Sequence, residues 1–171
     1  MDAGNVLYAN HDGLVVFKFV GEIRYTMGDS YRVSASLDAF LDDLFESKDF
    51  ENILIDLTET ESIDSTNLGL LAKIAQFTER HFGRKPTIIS TNEDINAILD
   101  SVGFDQVFII VHDPEIPGVE LDSLPEKREP DKELARMVLD AHKALIELND
   151  KNRSMFKNVV QLLQSKLDNT K

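Results

Sequence analysis

Between residues 6 and 111 the apolar positions switch repeatedly between β-like runs and helical stripes. Val6-Leu7-Tyr8-Ala9 and Leu14-Val15-Val16-Phe17-Lys18-Phe19-Val20 are rich in β-branched and aromatic residues, with Asn10-His11-Asp12-Gly13 between them. Two such runs around Asp-Gly predict a β-hairpin, and Gly21 and Gly28 bracket the loop that follows. Val33, Leu37, Phe40, Leu41, Leu44 and Phe45 then recur at helical spacing, with Asp38, Asp42, Asp43 and Glu46 on the other side. That is an amphipathic helix laid over a core. Ile53-Leu54-Ile55-Asp56-Leu57 is a short apolar run of the kind found in a strand covered on both faces. The polar residues 58–62 read as a turn.

From 66 to 82 the positions Leu68, Leu71, Ala72, Ile74, Ala75 and Phe77 again fit a helix, with Gly83 placed as its C-terminal cap. Residues 86–90 form another short strand. Thr91 with Asp94 resembles a capping arrangement for a helix over 93–101 that stops at Gly103, and 107–111 is the last strand. The order is ββαβαβαβ. It predicts an α/β fold in which a mixed β-sheet with parallel units carries packed helices.

Beyond residue 111 the texture changes. Pro114, Pro117, Pro125 and Pro130 punctuate an acidic stretch with little periodicity, which reads as a linker or a surface-hugging loop over 114–130. Residues 131–171 contain no Gly or Pro. Leu134, Val138, Ala141, Leu145, Leu148, Asn152, Met155, Val159 and Leu162 follow one another there in steps of four and three. The expected organisation is therefore a domain over 1–113, a linker, and a C-terminal helical extension over 131–171. The extension is either one amphipathic helix or a hairpin broken near Asn149-Asp150-Lys151-Asn152. A dimerising helix would place Asn152 at a heptad a position, where a buried Asn fixes register. Phe156, Val160, Leu163 and Leu167 make the stripe wider than a two-stranded seam needs, which favours bundle-like packing.

Composition narrows the function. The 171 residues suffice for one buried domain plus an appendage. A net charge of −13 and a pI near 4.6 repel phosphate backbones, so nucleic acid is not an expected partner. No apolar run reaches the ~18 residues of a membrane span. The N-terminal residues lack the pattern of a secretory signal, and the chain has no cysteine for a disulfide or a thiolate metal site. These features fit a cytoplasmic protein.

Candidate chemistry is sparse. Phosphate-binding glycine motifs and the G-x-S-x-G nucleophile elbow are missing. His11, His81, His112 and His142 have no metal-ligand spacing and read as surface or loop histidines. The adjacent Asp42 and Asp43 read as a solvated helix face. A phospho-acceptor aspartate in the manner of a receiver domain finds no support: Asp56 has no second acid beside it, and no lysine closely follows Ser90 or Val111. No catalytic group, cofactor or metal is expected. Ser65, at the start of the second helix, reads by default as an N-cap. The same place suits a phosphate, because free backbone N–H groups and the helix dipole favour negative charge there.

Leu54-Ile55-Asp56-Leu57 followed by Ser62-Ile63-Asp64-Ser65-Thr66-Asn67-Leu68-Gly69-Leu70-Leu71 resembles the core motif of STAS domains, and among them the bacterial anti-sigma factor antagonists. Val20-Gly21-Glu22-Ile23 and Ser101-Val102-Gly103-Phe104 are similar to two further family segments, so the resemblance covers about 110 residues. It implies a regulatory binding module rather than an enzyme. Such a module sequesters an anti-sigma factor and so frees a sigma factor for transcription. A serine kinase, often the anti-sigma factor itself, phosphorylates the serine that falls on Ser65, and a PP2C-type phosphatase reverses this. The implied partner-binding residues are Asp56, Asp64, Ser65, Thr66, Asn67 and Leu68. Asn67 departs from the family's common glycine, so the contact surface there is expected to differ. The alternative is a STAS scaffold that is never phosphorylated and assembles, as a homodimer, through its C-terminal helix.

Overall fold

The structure is a computed structural model, and it describes residues 4–25, 31–113, 118–126 and 130–169. Gly28, Pro114 and Pro117 lie outside the described residues, as do the last two residues of the extension.

The hairpin forms as its pattern predicts. β1 (Asn5–His11) and β2 (Leu14–Ile23) pair antiparallel around a two-residue turn. Asp12 and Gly13 both take positive φ there, at 51° and 91°. Such a turn matches the twist of the flanking strands. α1 (Tyr31–Ser47) returns the chain to β3 (Asn52–Ile63), which runs parallel to β2. α2 (Ser65–Phe82), β4 (Thr87–Ile89), α3 (Glu93–Ser101) and β5 (Ile109–Val111) complete the alternation, with a 3-10 turn over Phe104–Gln106. β6 (Asp122–Ser123) lies in the segment read as linker and pairs antiparallel with β1. The sheet order is β5-β4-β3-β2-β1-β6.

Residues 58–62 are not a turn but the second half of β3. The register slips between Lys18 and Val20 and again between Gly21 and Glu22, and β3 carries the extra residues. Each bulge absorbs one residue without ending the ladder. Gly21, at φ 84°, sits inside β2 at the second slip rather than at a loop boundary. Thr60 is buried and donates its hydroxyl to Phe19 O at 2.8 Å, so a polar residue is satisfied inside the sheet.

The main core lies on one face of the sheet, where Val15, Phe17, Ile53, Ile55 and Leu57 meet α1, α2 and α3. Val16, Leu54 and Ile89 point to the other face, which Val119 and Leu121 cover. The 114–130 segment is therefore a surface-hugging strap where it is described. Phe45 of α1 stacks on Phe77 of α2 with ring centroids 4.2 Å apart. The cap of α3 is Asn92 rather than Thr91: the Asn92 side chain accepts from Asp94 N and Ile95 N.

The extension is a hairpin of two helices, α4 (Asp131–Leu148) and α5 (Asp150–Asp168). Asn149 breaks the helix with extended backbone, and its side chain caps α5 by accepting from Asn152 N at 2.7 Å. Asn152 does not face a dimer seam. It is fully buried at the hairpin corner, where Nδ2 donates to Val102 O (2.9 Å) and Leu145 O (3.0 Å). Asn152→Ala should cost about 1–2 kcal/mol through these lost bonds, read as a lower urea midpoint at unchanged slope. An unchanged midpoint would mean that the corner does not hold the hairpin.

Candidate functional site

The start of α2 is organised by Asp64, not by the serine after it. Asp64 is the N-cap, with φ −91° and ψ 174°, and Ser65 is the first residue of the helix. One Asp64 oxygen accepts from Asn67 N at 3.0 Å and Asn67 Nδ2 at 2.8 Å. The other accepts from Tyr25 N at 2.6 Å. Asp64 N in turn donates to Ile23 O at 3.1 Å, so the helix start is tied to the end of β2. The expected capping role of Ser65 thus falls to its neighbour, and the Ser65 hydroxyl is left for another bond.

That bond reaches the C-terminal hairpin. Ser65 Oγ lies 2.8 Å from His142 Nε2, across 77 positions of sequence. His142 Nδ1 lies 2.8 Å from Val138 O. A carbonyl only accepts, so Nδ1 carries the proton in the neutral ring and Nε2 presents its lone pair. Ser65 O–H is therefore the donor to Nε2. His142 is buried, at 4% exposure, against the expectation of a surface histidine; His11, His81 and His112 are exposed. The local sequence around His142 carries no signal for this contact, because its partner is a distant serine on another helix.

Of the six residues expected to meet partners, Asp64 and Ser65 are half-buried, while Asp56, Thr66, Asn67 and Leu68 are buried. Asn67 explains its departure from glycine. Besides its bonds to Asp64, its Oδ1 accepts from Ser34 Oγ at 3.0 Å, which locks α1 to the start of α2. Asp56 lies mid-strand on the sheet face of Leu54, opposite the face that α2 covers, as strand alternation requires. Its Oδ1 accepts from Thr58 N and Thr58 Oγ1 at 2.9 and 2.7 Å, a local turn that shapes the first bulge. The structure therefore brings together Asp64, Ser65 and Asn67, and leaves Asp56 apart from them.

Gly69 sets how closely the hairpin can approach. A Cβ added there would stand 2.7 Å from Ala141 Cβ and closer still to the Ala141 carbonyl. Gln76 Nε2 donates to Ala144 O at 3.0 Å one further stretch along the same helices.

Acidic groups crowd beside this interface. Asp42 sits on the exposed side of α1, yet partial desolvation raises its pKa from the ordinary 3.8, and the charges of Asp38, Asp43 and Asp140 add to the rise while Lys73 opposes it. Burial, with Asp131 second, also raises Tyr25. A raised carboxylate holds its proton more tightly in the folded chain, so ionised Asp42 costs stability at neutral pH. The cost disappears as the pH falls below the unfolded value. Asp42→Asn should therefore raise Tm slightly at about pH 7 and leave it unchanged at about pH 3. An equal rise at both would assign the effect to something other than charge.

Among the described residues, no cluster of three or more His, Asp or Glu could hold a metal ion. No described helix is long and apolar enough to cross a membrane.

The family model for the STAS domain matches residues 5–115. The chain belongs to the STAS domain family. No curated protein matches it in sequence. Its fold is similar to that of the anti-sigma factor antagonist SpoIIAA in its unphosphorylated form, with a TM-score of 0.50 and 12% identity over 63% of this chain and 86% of that one. An anti-sigma factor antagonist from Mycobacterium paratuberculosis is similar at a TM-score of 0.48 and 20% identity, over 65% and 87% of the two chains. The STAS match ends where the strap begins, and the hairpin α4–α5 lies outside it.

Proposed function

We propose that this STAS domain is an anti-sigma factor antagonist: a cytoplasmic binding module that sequesters an anti-sigma factor, with phosphorylation of Ser65 controlling partner choice. The observation that carries this reading is the position of Ser65 as the first residue of α2, beside the capping Asp64. A phosphoryl group there adds roughly −1.5 to −2 charge next to the free N–H groups of a helix start. That changes the charge and the shape of the surface at the start of α2. A serine kinase and a PP2C-type phosphatase would write and erase the mark.

The test compares full-length Ser65→Ala and Ser65→Asp as baits in the native host. The alanine variant should retain the anti-sigma factor, and the aspartate variant should lose it. Identical partner sets for both variants and the wild type would end the switch reading.

A second reading is favoured by α5. Met155, Val159 and Leu162 lie along one side of it and remain 45%, 38% and 58% exposed. A scaffold that assembles through this stripe would be a dimer by light scattering at micromolar concentration, and Leu162→Glu would dissolve it. A wild-type monomer removes that reading.

A further inference from the structure

Ser65, Gly69, Ala72 and Gln76 recur at steps of four, three and four, which aligns them along one side of α2. α4 covers that side. It meets Ser65 with His142, Gly69 with the Ala141 backbone, and Gln76 with the Ala144 carbonyl. The small side chains at 65, 69 and 72 let the two helices approach closely, and Leu134, Met137, Ala141, Ala144 and Leu145 of α4 are buried as a result.

This arrangement conflicts sterically with a modified Ser65. A phosphoryl group replaces the hydroxyl hydrogen, and that hydrogen points at His142 Nε2, 2.8 Å from Oγ. In this rotamer the phosphorus would occupy the space of the imidazole. Modification also removes the only proton that Oγ can donate to the ring. We infer that the hairpin α4–α5 is a removable cover over the Ser65 face of α2, latched by His142, so that phosphorylation and partner docking both require α4 to lift. The inference rests on the proposed role of Ser65 for its biological meaning, but the cover itself does not.

Three features make the cover separable from the domain beneath it. Among its described residues, the strap that joins it to β5 is hydrogen-bonded into the sheet only through the two-residue β6, whose residues are both exposed, and Val119 and Leu121 pack on the sheet beside it. α5 buries only Asn152 and Leu167 among its described residues, so its hold on the domain is concentrated at the corner, where Asn152 meets Val102 O. Like charge opposes the seat: after burial, Asp140 of α4 is among the acids that raise Asp42 of α1. A dianionic phosphate at Ser65 would add repulsion beside Asp64 in a chain of net charge −13.

The chain has no cysteine, so one introduced thiol reports on access without interference. In the full-length protein, Ser65→Cys and, as an exposed reference, Ser101→Cys would be labelled with a polyethylene-glycol maleimide. The thiol at 65 should react at least about tenfold more slowly than that at 101, because labelling waits for local opening. Adding Ala141→Leu, which wedges the interface from the hairpin side, should bring the two rates to within about threefold. Equal rates without the wedge would overturn the cover. If the wedged chain fails to fold, amide exchange in full-length Ser65→Asp decides instead. Exchange over 131–148 should rise while β2 and β3 stay protected; unchanged protection of α4 would overturn the latch. Labelling needs no kinase, so an open thiol defeats the cover and leaves phosphorylation standing. A masked thiol with no phosphate at Ser65 in the host defeats the switch and leaves the cover.

Discussion

Asp64→Ala should lower the unfolding free energy by about 3 kcal/mol, whereas Ser65→Ala should change it by less than about 1 kcal/mol. The two residues are neighbours, yet their loads differ. Asp64 accepts from Asn67 N, Asn67 Nδ2 and Tyr25 N, and these bonds hold the first turn of α2 against the end of β2. Removing the carboxylate leaves the cap empty and takes a partner from a buried Asn67 amide. Ser65 loses one bond to His142. Urea unfolding of both variants measures the contrast. A costly Ser65→Ala with a mild Asp64→Ala would mean that the serine, not the aspartate, holds the helix start.

Gly69→Leu should destabilise the full chain by about 2–3 kcal/mol through overpacking. Even Gly69→Ala should reverse its usual sign. At an open helix position that change gains roughly 0.5–1 kcal/mol, because glycine is the more flexible residue. At residue 69 the new Cβ meets Ala141, so α4 must shift to admit it. The location of the damage is as informative as its size. Amide exchange should accelerate in α4 and α5 while the sheet core around Phe17 and Ile55, both fully buried, remains protected. A stabilised Gly69→Ala protein would show that the two helices do not pack as closely as described.

Much of this architecture was legible in the sequence because it is local. Asp12-Gly13 supplies the positive φ angles of a tight hairpin turn, and Gly83 takes φ 64° where its N–H donates to Glu79 O. The bounds of α3 follow from its periodicity up to Gly103, although its cap is Asn92 and not the expected Thr91. What escaped is non-local. Residues 58–62 look like a turn because they are polar, and only pairing with β2 through two bulges keeps them in the sheet. β6 has two exposed residues and no pattern of its own. Asn152 has the spacing of a seam residue, but its amide is used by Val102 O and Leu145 O within one chain.

The site divides in the same way. The motif around Asp64 and Ser65 locates the start of α2, yet periodicity does not say which of the two caps it. The geometry does: the Asp64 backbone is extended and its carboxylate meets Asn67 N. Asn67 reads as a change in contact surface from the motif, but it is buried and bonded to Ser34. His142 sits among the apolar positions of an ordinary amphipathic helix. Nothing nearby in sequence says that its ring faces a serine in the domain.

The central claim is that phosphate on Ser65 decides which partner the chain holds. The most direct measurement is phosphopeptide mass spectrometry on the full-length protein isolated from its host, with the partner-bound and free fractions separated first. The account predicts phosphate at Ser65 in the free fraction and its depletion from the fraction bound to the anti-sigma factor. Equal occupancy in both fractions, or no phosphate at Ser65 in either, would contradict it.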